Sequence, residues 1–98
     1  MGHPLFDLKN KTAVVIGGTS GIGLMLARGL AEAGANVIAT GRRPELVQKI
    51  TSEIREIGVR SLALPCDVTD SANVENLLVA ASKEMGGVEI LVNCAGRT

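Results

Sequence analysis

"VVIGGTSGIGLM", Val14–Met25, sets four glycines between an apolar run and a stretch with helical spacing. Glycine inside a regular element costs about 0.5–1 kcal/mol relative to alanine. Gly17, Gly18, Gly21 and Gly23 therefore mark backbone shapes or clearances that a side chain would forbid. Where a strand hands over to a helix, such a turn lets main-chain N–H groups and the helix N-terminus face an anion, usually a phosphate. Gly17 is expected to make the sharp turn off the strand. Gly21 would remove a Cβ that blocks close approach of a pyrophosphate, and Gly23 would let the helix pack tightly on the strand. A merely tight strand–helix turn is the plainer alternative.

Outward from this stretch the sequence alternates two periods. Short aliphatic or β-branched runs stand at Thr12–Ile16, Asn36–Thr40, Arg60–Leu64 and Glu89–Asn93. Each of the first three leads into a segment of helical periodicity. The first helix carries the stripe Ile22, Met25, Leu26, Gly29, Leu30 and Ala33, and stops at Gly34. The second runs from Pro44, suited to a first turn, to Gly58, with the stripe Val47, Ile50, Ile54 and Ile57. The third starts at Asp70 as N-cap, carries Val74, Leu77, Leu78, Ala81 and Met85, and ends at Gly86-Gly87. The pattern is β-α-β-α-β-α-β: an α/β fold with a doubly wound parallel sheet. Right-handed crossovers give the strand order 3-2-1-4. The fourth strand would then have an open edge, so the chain reads as the first half of a larger domain, marginal or associated through that edge when alone.

Composition narrows the function. The 98 residues suit one domain, and ten basic residues balance ten acidic ones, which argues against a nucleic-acid or anionic-membrane surface. Phe6 is the single aromatic residue, so bases would find no stacking platform. No apolar run approaches the ~20 residues of a membrane span, and the N-terminus lacks a signal-peptide pattern. His3 is the only histidine, in a terminal stretch with no chemical role assigned. Cys66 and Cys94 have neither metal-ligand nor redox spacing, which fits a reducing, cytoplasmic setting without metal. In order 3-2-1-4 they lie too far apart for a disulfide, so both are expected as free thiols.

The phosphate ligand can be narrowed further. Leu24 follows Gly23 where a Walker loop needs lysine, which disfavours nucleoside triphosphate hydrolysis by that route. A dinucleotide fold predicts a ribose-reading acid about 20 positions past the glycines. Gly41 stands there instead, followed by Arg42 and Arg43, and guanidinium suits a 2′-phosphate through bidentate bonds. The arginines read either as a reader of NADP(H) or as a solvated pair at a helix entrance; NADP(H) is favoured, with NAD possible.

"GGTSGIG" (Gly17–Gly23), "CDVTD" (Cys66–Asp70) and "NCAG" (Asn93–Gly96), in this order and spacing, resemble the N-terminal half of a short-chain dehydrogenase/reductase. The resemblance covers nearly the whole chain, and the glycine pattern is similar to the compact oxidoreductase branch of that family. It implies one NAD(P)-binding Rossmann domain over residues 1–98, incomplete at its C-terminus. It implies that Thr19, Ser20 and Ile22 contact cofactor ribose or phosphate, that Asp67 accepts from the adenine amino group with Val68 beside the ring, and that Asn93, Ala95 and Gly96 border the nicotinamide ribose. A plain helix-entry turn residue is the lesser alternative for Asp67, while Asn93 reads equally as a brace for strand hydrogen bonds.

Three positions depart from the family pattern: Ile16 replaces a threonine that would brace the turn, Cys94 replaces a second asparagine, and Ser20 stands where many NADP-preferring members carry a basic residue. The resemblance further implies a parent oxidoreductase, homo-oligomeric, that moves hydride between nicotinamide and a small carbonyl or alcohol substrate. "LFDLKNKTAVVIGG" (Leu5–Gly18) is similar to its sugar-acid and polyol branches. The family's acid–base set, a Ser and a Tyr-x-x-x-Lys, lies beyond the fourth strand, and this chain contains no tyrosine, so no catalytic residue is assigned in it. Two alternatives stand beside an enzyme's cofactor half: a non-catalytic NADP(H)-binding or sensor module, and a non-functional truncated product.

Overall fold

The computed structural model describes residues 8–19, 21–67 and 70–94. Its elements are β1 (Thr12–Ile16), α1 (Gly21–Glu32), β2 (Asn36–Thr40), α2 (Pro44–Ile57), α3 (Ser71–Met85) and β3 (Ile90–Asn93). The run "TAVVI" is buried at every position because β1 is the central strand, with parallel neighbours on both sides. Thr12 stands opposite Asn36 and Ile16 opposite Thr40 on one side; Ala13 pairs with Ile90 and Ile16 with Asn93 on the other.

Successive side chains of a strand point to opposite faces, and the core divides accordingly. Ala13, Val15, Val37 and Ala39 pack with Ala27 and Ala31 of α1 and with Ile50 and Ile54 of α2. Val14, Ile16 and Ile38 pack on the other face with Leu77 and Ala81 of α3 and with Cys66. The sheet is therefore wound on both faces, as expected for this fold class.

The helix ends are set by local chemistry. Pro44 begins α2, and Gly58 closes it in the left-handed region at φ 113°. The Asp70 side chain accepts from the Ala72 N–H at 3.0 Å, satisfying a donor that a helix start leaves unpaired. Gly86, at φ 84°, ends α3, and its N–H donates to the Ser82 carbonyl.

Two expectations need correction. The order among hydrogen-bonded strands is β2-β1-β3, which matches the 2-1-4 part of the expected order, but residues 60–64 form no ladder strand. They do lie beside β2. The Val37 N–H donates to the Arg60 carbonyl and the Cys66 N–H to the Gly41 carbonyl, at 3.0 and 2.9 Å. Both bonds belong to one parallel register, with Val37 opposite Ser61 and Gly41 opposite Pro65. Between them, side chains capture the carbonyls. Thr40 Oγ1 donates to Leu64, Thr51 Oγ1 to Leu62, and the Arg55 guanidinium to Ser61.

The second correction concerns α1. Its buried face is Gly23, Ala27 and Ala31, whereas Ile22 and Met25 of the expected stripe are 72% and 71% exposed and Leu26 is also exposed. Small residues face the sheet because the helix axis must come close to it.

Candidate functional site

The chemistry-bearing residues collect where the parallel strands end. In open α/β sheets ligands bind beyond the carboxyl ends of the strands, at the point where strand order reverses. Here that point lies between β1 and β3, since β2 and β3 leave β1 in opposite directions.

The glycine turn leaves β1 at this point. Gly17 has φ 82°, and the N–H groups of Gly17 and Gly18 both donate to the Thr40 carbonyl, at 2.8 and 3.0 Å. These two amides tie the turn to the end of β2, so any anion would be met by N–H groups further along. A Cβ on Gly23 would lie 2.0 Å from the Gly17 carbonyl oxygen, so the first turn of α1 rests directly on the turn's backbone. Gly21 differs: at φ 58° it is exposed, and a Cβ there would meet no protein atom within 4 Å. The space beside Gly21 is open.

Gly18, one of the four glycines expected to mark a forbidden side chain but given no task of its own, is restrictive too. Its Cβ would lie 2.9 Å from the Val15 carbonyl oxygen and 3.0 Å from Ala39 Cβ. The adjacent glycine pair was the available signal.

The remaining candidates border this turn. Thr19 is half-buried against Gly41, and Arg42 and Arg43 are exposed between β2 and α2. Ile22 projects outward from the first turn of α1. Asp67 is half-buried ahead of α3, and its carbonyl accepts from the Asp70 N–H at 3.1 Å. Asn93 ends β3 opposite Ile16, and the Cys94 N–H donates to the Ile16 carbonyl at 2.7 Å, which fastens β3 to the strand that feeds the turn. Ser20, Val68, Ala95 and Gly96 lie outside the described residues.

Both cysteines are free thiols. Cys66 is buried, and desolvation together with the negative charges of Asp67 and Asp70 pushes its thiol above the usual value of 9.0. Among the described residues no cluster of three or more His, Cys, Asp or Glu could hold a metal, and no helix is long and apolar enough to cross a membrane.

A separate cleft of about 450 Å³ opens at the opposite end of the strands, lined in part by Lys9, Glu32, Asn36 and Arg60. Its polar groups already serve the fold: Asn36 Oδ1 accepts from the Arg60 N–H, and the Arg60 guanidinium donates to the Glu84 carbonyl. The glycine turn is the stronger candidate.

The family model for short chain dehydrogenase matches residues 11–98, which includes the turn, the strands on either side of it and Asp67. The chain belongs to the short-chain dehydrogenase/reductase family. It is 42% identical over 95% of its length to a glycine betaine reductase of Emericella nidulans, of which it covers 7%. It is 40% identical over 98% of its length to gluconate 5-dehydrogenase of Gluconobacter oxydans, of which it covers 38%. A crystal structure of a dehydrogenase/reductase from Sinorhizobium meliloti superposes with a TM-score of 0.88 at 39% identity, covering 93% of this chain and 36% of that one. The chain thus spans well under half the length of these relatives.

Proposed function

We propose that this chain binds a nicotinamide dinucleotide, NADP(H) in preference to NAD(H), as the cofactor-holding part of an oxidoreductase. The observation that carries the preference is the end of β2. Gly41 offers no carboxylate there, and two exposed guanidinium groups, Arg42 and Arg43, follow it. The open space beside Gly21 fits the close approach of a pyrophosphate, and family membership supports a nicotinamide cofactor.

When bound, the cofactor supplies or accepts a hydride at nicotinamide C4, exchanged with a carbonyl or alcohol carbon of a small substrate. The protein's own work is to hold it. Gly17, Thr19, Ser20, Gly21, Ile22 and Gly23 would cradle the pyrophosphate and its ribose. Asp67 and Val68 would hold the adenine, and Asn93, Ala95 and Gly96 would border the nicotinamide ribose. A homo-oligomeric whole protein in a reducing compartment belongs to the same reading, supported by the free thiols.

Titration of Arg42→Ala against both dinucleotides tests the preference. A charge-assisted bond lost at the 2′-phosphate lowers NADP affinity roughly ten- to hundredfold and leaves NAD affinity nearly unchanged. Equal losses overturn the assignment.

The alternative reading is cofactor binding without turnover. Cofactor binding with no reduction of any carbonyl substrate in a panel, by the whole protein carrying this chain, would select it.

A further inference from the structure

We propose that Thr19 and Gly41 form a steric interlock that fixes which dinucleotide this site accepts, an inference that rests on the cofactor reading above. A Cβ on Gly41 would lie 3.0 Å from Thr19 Oγ1 and 3.5 Å from its Cγ2. Contacts between non-bonded heavy atoms are most favourable near 3.5–4.0 Å, so the hydroxyl would be compressed. Gly41 is not among the glycines with positive φ, so its backbone could carry any L residue. Any preference for glycine at 41 therefore comes from the Thr19 side chain, which a Cβ would press aside by a few tenths of an ångström, and not from the torsion.

Neither backbone is free to retreat. The glycine turn is tied to Thr40 by the Gly17 and Gly18 N–H groups, and Gly41 is held by the Cys66 N–H on its carbonyl. Relief must come from the Thr19 side chain itself. The consequence reaches specificity because an acidic residue near position 41 is what reads a ribose 2′-OH in dinucleotide folds. Here such a residue is absent, and one placed at 41 would crowd Thr19 Oγ1. Thr19→Ala removes Oγ1 and Cγ2, leaving a Cβ at the 3.9 Å of an ordinary contact.

The test is a double-mutant cycle on the whole protein carrying this chain, titrated with NADP+ and NAD+. Gly41→Asp alone is expected to lose NADP+ affinity and gain no NAD+ affinity. Gly41→Asp with Thr19→Ala is expected to bind NAD+ at least about tenfold more tightly than Gly41→Asp alone. Gly41→Ala should weaken binding of both dinucleotides, whereas in a Thr19→Ala background the same substitution should cost little relative to Thr19→Ala alone. Additive effects, or a Gly41→Asp single variant that binds NAD+ as well as the double, overturn the interlock.

Thermal melts read the same contact without cofactor. Gly41→Ala should lower the melting temperature, and Thr19→Ala in that background should recover most of the loss; additive melting shifts also overturn the proposal. Unmodified protein that titrates with neither dinucleotide, alongside non-additive melts, would retain the steric contact and refute the cofactor reading instead.

Discussion

Helices α1 and α2 pack on the same face of the sheet, joined by an Arg28–Glu53 ion pair, yet they bury opposite kinds of surface. Helix α1 turns Gly23, Ala27 and Ala31 inward and sends Ile22, Met25 and Leu26 outward. Helix α2 buries Val47, Ile50, Thr51 and Ile54 and exposes Gln48, Lys49 and Ser52. The difference follows from what feeds each helix. Helix α1 emerges from the glycine turn and rests on the Gly17 carbonyl, so its fully buried positions are small and only Leu24 and Leu30 pack in from the side. Helix α2 starts after exposed arginines and meets the sheet through β-branched residues. A helix placed by its backbone and a helix placed by its side chains sit next to each other.

Substitutions can break that contrast. The largest effect is expected for Gly23→Ala. The collision at 2.0 Å is with backbone, so α1 cannot seat, and the cooperative thermal transition followed by circular dichroism should disappear. A normal melt for this variant would mean that α1 stands further from the turn. Next comes Ile54→Ala, which empties a fully buried position of α2 and should cost about 2–5 kcal/mol in denaturant unfolding. A loss below about 1 kcal/mol would show that α2 does not depend on large side chains for its packing.

Asp70→Ala removes a cap from α3, a helix on the other face, and should cost about 1 kcal/mol. No change would assign the start of α3 to packing alone. The smallest effect is expected for Met25→Gln on the outer face of α1, within about 0.5 kcal/mol of the unsubstituted chain. A large loss there would show that this face is covered in solution.

The same contrast explains what the sequence disclosed. Hydropathy periodicity identified three of the four inward positions of α2, and Pro44, Gly58, Asp70 and Gly86 marked helix ends from local chemistry alone. In α1 the same method chose the outward face, because periodicity weighs how apolar a side chain is and cannot register how near two backbones must come. The strand at residues 60–64 misled for a related reason. Its composition suits a strand, but Thr40 and Thr51 take up the Leu64 and Leu62 carbonyls that the register turns toward β2, and nothing local reveals that. At the candidate site, the tight packing that requires glycine at 23 was legible from spacing. The Thr19–Gly41 contact was not, since it joins two loops that only the parallel pairing of β1 and β2 brings together.

The segment from Arg60 to Cys66 has a kinetic consequence. It borders β2 with main-chain bonds near its two ends and side-chain bonds between them, and Pro65, which has no N–H to give a ladder, sits at its far end. Local opening of such a border can begin around Leu62 and Leu64 while the three-stranded ladder stays closed. Amide hydrogen exchange would then reach this rim by sub-global fluctuation, and the buried amides of β1 only through global unfolding. Exchange at Leu62 and Leu64 as slow as in β1 would show that this border opens only with the whole sheet.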